Sequence, residues 1–240
     1  VLPKWNEWME RWPTPKDLAT ATPAQVITAW GRLGYPRRAL RLHAAAQIIA
    51  EDFNNKVPED QETLQLLPGI GEYTAAAIAA FAFEQRSLVM DVNIRRLLVR
   101  AIDGEEHPKP APSAREKARR LAILPEKNAH VWAAATMELG ALVCTSKNPS
   151  CELCPIIGQC QWRKNGYPKT DLVRKSQDWH GTDRKCRGTI VQALRENESL
   201  TESAIKKLWP DESQVEKALK TLADDLLIQR LPRNRYRLPQ

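Results

Sequence analysis

No run of about 18 apolar residues occurs anywhere in the 240-residue sequence, so no membrane-spanning helix is expected. The opening residues, Val1-Leu2-Pro3, lack an initiator Met and a charged-then-apolar leader, so no targeting peptide is expected and the chain is expected to begin inside a longer protein. Strand-like alternation is nearly absent before residue 225. An all-α body therefore accounts for about the first 160 residues. Charge of one sign is scarce there too. Residues 161–240 carry 17 Lys/Arg against 11 Asp/Glu, a balance of +6, which leaves only +1 of the total +7 for residues 1–160. A basic tail on a near-neutral body fits phosphate affinity at the C-terminal end, or simply a soluble surface.

Trp5, Trp8, Met9 and Trp12 recur at three- and four-residue intervals before Pro13, which predicts a first helix that stops there. Thr22-Pro23 opens another with an N-cap and a first-turn proline, Val26, Ile27 and Trp30 form its apolar face, and Gly34 marks its end. Residues 37–51 read as a helix with Leu40, Ala44 and Ile48 inward and Arg38 and Arg41 outward, and residues 60–67 as a shorter one.

Four of the five cysteines are gathered as Cys144-x6-Cys151-x2-Cys154-x5-Cys160. Without a secretory leader such a group reads as a metal or cluster cage rather than as disulfides. Structural zinc sites usually pair two Cys-x2-Cys knuckles. Here one knuckle has wider arms on both sides, a spacing that favours a [4Fe–4S] cluster and leaves zinc open.

Two more motifs precede the cysteines. Leu66-Leu67-Pro68-Gly69-Ile70-Gly71-Glu72-Tyr73-Thr74, followed by a small-residue helix over 75–83, has the form of a helix-hairpin-helix turn. Its glycines permit positive φ and leave backbone N–H groups bare at a helix N-terminus, where a phosphate can be held without reading sequence. Taken alone, a Pro-Gly-x-Gly turn is more often just a connector. Further on, Leu88-Val89-Met90-Asp91-Val92-Asn93-Ile94-Arg95-Arg96 delivers one carboxylate to the start of a helix over 92–102. Asp91 can be an N-cap, a carboxylate facing developing positive charge, or both.

The order of these three motifs resembles the endonuclease III and adenine-glycosylase superfamily of base-excision DNA glycosylases, over roughly residues 1–168. Bifunctional members carry a nucleophilic Lys where this chain has Tyr73, so the resemblance is to the adenine-specific mismatch branch. The segments Trp30-Gly31-Arg32-Leu33-Gly34-Tyr35 and Met137 to Cys144 match that branch as well. The resemblance implies a helix-hairpin-helix glycosylase fold and removal of adenine mispaired with 8-oxoguanine or guanine from double-stranded DNA, with the adenine flipped out of the stack. It implies that Asp91 stabilises or transiently bonds the sugar C1′, that Asn93 orients that carboxylate, and that Tyr73 lines the pocket near the sugar. Tyr35 would wedge into the duplex, Gly69 and Gly71 would hold backbone phosphate, and Lys147 would present a DNA contact from the loop 145–150. Cys144, Cys151, Cys154 and Cys160 would hold a structural [4Fe–4S] cluster. A monomer in the cytoplasm, associated with the nucleoid in a bacterium, follows from the same resemblance.

Two departures from the family accompany the match. Its general acid is a Glu on an early Gln-rich helix, a segment expected upstream of Val1, and the position that often holds Gln or Glu against the adenine falls on Ala134. Residues 1–85 are expected to form a six-helix-barrel part, 86–168 a second lobe with the cluster loop, and 169–186 a linker. In residues 187–240, helical patterns over 188–196, 202–208 and 213–225 precede short alternating runs over 227–230 and 236–238, the pattern of a winged helix. Its third helix and hairpin carry Lys217, Lys220, Arg230, Arg233, Arg235 and Arg237, which suits a DNA backbone, simple packing on the body or a protein partner. About 55 residues are too few for the Nudix-like domain found at this end of the best-known members.

Overall fold

The computed structural model describes residues 2–170 and 181–240, in two compact units. The described part of one unit is 2–58, 67–69 and 181–240, and that of the other is 59–66 and 70–170. Among the described residues no helix is long and apolar enough to cross a membrane.

The first unit begins with α1 (Leu2–Arg11), α2 (Pro15–Ala19), α3 (Pro23–Trp30) and α4 (Arg37–Asp52). Capping boxes start α2 and α3: Thr14 pairs reciprocally with Asp17, and Thr22 with Gln25, each with a first-turn proline. The α3 helix ends at Gly31, at φ 54°, rather than at Gly34. Tryptophans Trp8, Trp12 and Trp30 stack edge to face over Leu18, Val26, Ala39 and Ala46. Trp8 donates to the Ala29 carbonyl at 3.2 Å and Trp30 to that of Gly34 at 2.8 Å, so the indole N–H groups are satisfied. Along α4 the buried face is Ala39, His43, Ala45, Ala46 and Ile49, not the expected Leu40, Ala44 and Ile48, which are only partly covered. Small alanines let α4 lie close against α2 and α3, which turns the stripe by one residue.

The second unit contains α5 (Gln61–Leu66), α6 (Glu72–Phe83), α7 (Val92–Leu98), α8 (Ala114–Ile123), α9 (Ala129–Leu142) and the short α10 (Gln161–Lys164). Asp60 caps α5 through the N–H groups of Glu62 and Thr63. Its core sets Ala80 of α6 and Ile94 and Leu98 of α7 against Ala133 of α9, with Val89 beside them. The helix expected over 92–102 widens after Leu98 into one π turn, Val99–Asp103. That turn carries the buried Arg100 towards the cysteine loop.

The chain then returns to the first unit as α11 (Asp183–Glu196), α12 (Glu202–Lys206) and α13 (Glu212–Asp224), with a sheet of order β1-β3-β2. Its strands are β1 (Leu200–Thr201), β2 (Gln229–Leu231) and β3 (Arg235–Arg237), all antiparallel, with Leu200 opposite Tyr236 and Arg230 opposite Tyr236. Arg233 and Asn234, both at positive φ, turn the hairpin. Three helices and a short hairpin occur where the helical patterns and alternating runs were expected, and β1 adds a strand too short for its pattern to show.

Two expectations change here. Of the expected linker 169–186, residues 171–180 lie outside the described residues, whereas 183–186 are already helical because Thr182 caps α11. The segment 187–240 also does not stand apart from the N-terminal helices. Ile27 of α3 is fully buried in one cluster with Ile190, Val191, Leu194, Leu222 and Leu227, and Arg195 donates to the Ile27 carbonyl at 3.1 Å. Apolar area shared with α3 and α4, invisible in a linear pattern, joins the two ends of the chain.

Candidate active site and cysteine cage

In the second unit Asp91 ends the extended segment before α7 and caps that helix. Its Oδ1 accepts from the backbone N–H of Asn93 at 2.6 Å and, more loosely, from that of Ile94 at 3.4 Å. The carboxylate is half-buried, and among the described residues its second oxygen makes no hydrogen bond. Tyr73, in the first turn of α6, is in electrostatic reach. Burial first, then the Asp91 carboxylate, hold its phenol above the ordinary tyrosine value. That influence places Tyr73 and Asp91 within electrostatic range of each other.

Asn93 takes part differently from the expectation. Its backbone, not its side-chain amide, reaches Asp91, while its Oδ1 accepts from Arg96 at 2.9 Å. Arg96 also donates to the carbonyls of Gly140 and Cys144, the latter at 2.7 Å. It ties the Asp91 helix to α9 and to the first cysteine. Gly140 is the counterpart on α9: a Cβ there would stand 2.5 Å from the Asn93 carbonyl oxygen. Arg95 forms a buried pair with Glu116, at 2.8 Å, and that guanidinium holds the Glu116 carboxyl below its ordinary value.

Cys144, Cys151, Cys154 and Cys160 line one cavity with Leu97, Ala101, Val143, Ile156 and Ile157. Burial first, then the neighbouring sulfurs, push the Cys154 thiol up; in Cys151 the same effects outweigh a bond from Tyr167. Arg100, 1% exposed, donates to the carbonyls of Thr145 at 2.7 Å and Ser146 at 3.1 Å and approaches Cys144 Sγ at 3.4 Å, with its other face on Trp162. Sequence reasoning missed both Arg96 and Arg100; the signal was basic residues recurring at 95, 96 and 100 in an otherwise apolar helix. Lys147 is exposed on the loop that Arg100 holds.

The hairpin's two glycines differ. Gly69 sits at φ +82°, and a Cβ there would meet Arg41 at 2.8 Å, whereas Gly71 is extended and serves as the N-cap of α6 without a side-chain bond. Only Gly69 needs left-handed backbone. Gly71 leaves the first-turn N–H groups of α6 without a side-chain cap, as an anion site requires. Glu72 points to Lys117, at 2.6 Å, and Ala134 and Glu138 lie exposed on α9. Tyr35 and Gly69 belong to the first unit, apart from the other expected site residues. Tyr35 is 61% exposed, at φ 47°.

A half-buried carboxylate at a helix start, a tyrosine beside it, a glycine hairpin and a four-cysteine cavity now stand together with the sequence match. The family model for "HhH-GPD superfamily base excision DNA repair protein" matches residues 1–122. The chain belongs to this superfamily, in its adenine DNA glycosylase branch. The adenine DNA glycosylase of Mycobacterium tuberculosis is 45% identical over all of this chain and 80% of its own length. That of Mycolicibacterium smegmatis is 42% identical over 99% of this chain and 81% of its own. The human adenine DNA glycosylase is 39% identical over 68% of this chain but only 30% of its own. Among solved structures, a thermostable thymine-DNA glycosylase superposes with a TM-score of 0.62 at 20% identity, covering 68% of this chain and 76% of its own. An endonuclease III–DNA complex gives 0.59 at 21%, covering 69% and 77%. At these identities the two structures establish the helix-hairpin-helix glycosylase fold.

Proposed function

We propose that this member of the adenine DNA glycosylase branch hydrolyses the N-glycosidic bond of adenine in double-stranded DNA, and that the adenine it removes is mispaired with 8-oxoguanine or guanine. The observation that carries the reading is the Asp91 carboxylate with one oxygen fixed on α7 and the other unclaimed, next to Tyr73. Bond breaking places positive charge on the sugar, and a preorganised carboxylate stabilises that charge with little reorganisation. Tyr73 lines the same locus and offers no amine. Without an amine no Schiff base forms with the sugar, so the product strand keeps an intact abasic site. The bare N–H groups behind Gly71 suit a DNA phosphate, and Lys147 suits a second. Tyr35 and Gly69 complete the proposed DNA contacts from the first unit.

The cysteine cavity fits a [4Fe–4S] cluster. Four sulfurs ring an apolar void with a buried guanidinium beside them, a donor set suited to a multi-iron anion. Cys144, Cys151, Cys154 and Cys160 would hold it. When bound it would supply structural crosslinking, and the chain's own Arg100 holds the 145–150 loop.

The test is Asp91→Asn. Asn caps a helix as well as Asp does, so stability should change by less than about 1 kcal/mol. Single-turnover adenine release from an 8-oxoguanine·adenine duplex should be lost while binding to that duplex remains. Wild-type turnover by the variant would reduce Asp91 to a cap, and a borohydride-trappable strand-cleaving intermediate in the wild type would refute the assignment of Tyr73.

A further inference from the structure

The first unit contains an open cleft of about 920 Å³, walled by the segment from Gly31 to Arg37 on one side and by α11 on the other. Arg32, Arg37, Arg184, Lys185, Arg187 and Arg195 line it against a single lining carboxylate, Glu196. Asp225 bridges Arg37 and Arg187. Six cations against these two carboxylates leave a balance of +4. No cysteine or histidine lines the cleft, and its cationic lining suits the binding of an anion. At its mouth the Arg184 guanidinium lies 4.2 Å from the centre of the exposed Tyr35 ring, and Tyr35 holds a left-handed backbone that bulky residues rarely adopt.

Gly188 adds an independent observation. It stands inside α11, where glycine costs about 1 kcal/mol relative to alanine, yet a Cβ at that position would meet nothing within 4 Å. No packing within the described protein explains it. A mid-helix glycine facing an open cationic cleft allows a ligand to approach the helix backbone closely. On the winged-helix side, Lys217 bonds Asp183 at 2.6 Å, Arg230 bonds Asn234 at 2.7 Å, and Arg237 bonds Gln229 at 3.1 Å.

We propose that this cleft, with α11 as its wall, Gly188 as its point of closest approach and Arg184 riding on Tyr35, is a binding surface for the phosphate backbone of duplex DNA. The C-terminal segment thus contributes to DNA binding through its first helix. The proposal rests on the glycosylase reading only in taking DNA as the polyanion.

The probe is an undamaged 20-base-pair duplex, titrated with the full chain at several salt concentrations. Arg184→Ala should make the slope of log Kobs against log salt shallower by about one. Gly188→Gln should weaken binding roughly tenfold, on the scale of one charge-assisted hydrogen bond. Gly188→Ala should raise Tm by about 2–4 °C and still weaken binding, a combination that a merely structural glycine does not produce. Arg233→Ala, on the hairpin, should bind as the wild type. Wild-type affinity and slope in Arg184→Ala and in both Gly188 variants would overturn the proposal, as would an equal loss in Arg233→Ala. Adenine release by the wild-type protein is measured in parallel. If release is absent while the cleft variants still lose duplex affinity, the glycosylase reading fails and the cleft stands.

Discussion

Gly140→Ala is expected to damage the site without touching a site residue. Adding a Cβ places carbon 2.5 Å from the Asn93 carbonyl oxygen and 2.8 Å from its carbon. Ordinary contact needs roughly 3.4 Å, so α9 and α7 must separate by about 0.5–1 Å, and overpacking of this kind costs about 1–3 kcal/mol. Asn93 supplies the N–H that fixes Asp91, and the Gly140 carbonyl accepts from Arg96. The displacement is therefore transmitted directly to the carboxylate. A misplacement of about 1 Å at a reacting group can cost about 10²-fold in rate. Urea denaturation should show the loss in stability, and single-turnover adenine release should fall by about 10- to 100-fold while duplex affinity changes little. Gly158→Ala is the control, because a Cβ there meets nothing within 4 Å. Equal stability and equal rates for the two variants would refute the idea that close approach of α9 to α7 sets the Asp91 geometry.

Purified protein should be brown, with about four irons per chain, and stoichiometric zinc without a chromophore would contradict the cluster. Cys186→Ser should keep the colour but lose about 1–3 kcal/mol, since Cys186 is fully buried in the α11 core rather than in a linker. Glu116, whose carboxyl Arg95 holds below its ordinary value, contributes stability that is present above the unfolded-state pKa. That contribution is lost as pH falls through the lower folded-state value. Glu116→Gln should therefore be less stable than wild type at pH 7 and converge with it as pH falls below the ordinary glutamate range, as followed by urea midpoints. A constant gap across that range would assign the difference to packing.

Motifs that act over a few residues were legible in the chain itself. The Thr22-Pro23 cap, the glycine hairpin, Asp91 before an apolar helix and the cysteine spacing each depend on local backbone geometry, and the last three belong to the family pattern. Tertiary structure decided what depends on residues far apart in sequence. Arg96 linking Asn93, Gly140 and Cys144 spans nearly fifty residues, and Arg100 holding the cysteine loop spans as many. The buried face of α4 followed from close contact with α2 and α3, so a stripe read from its own periodicity was turned by one residue. Ile27 entering the α11 core joined segments more than 150 residues apart. Local propensity carries no information about such pairings, because their free energy comes from surface that only the folded chain brings together.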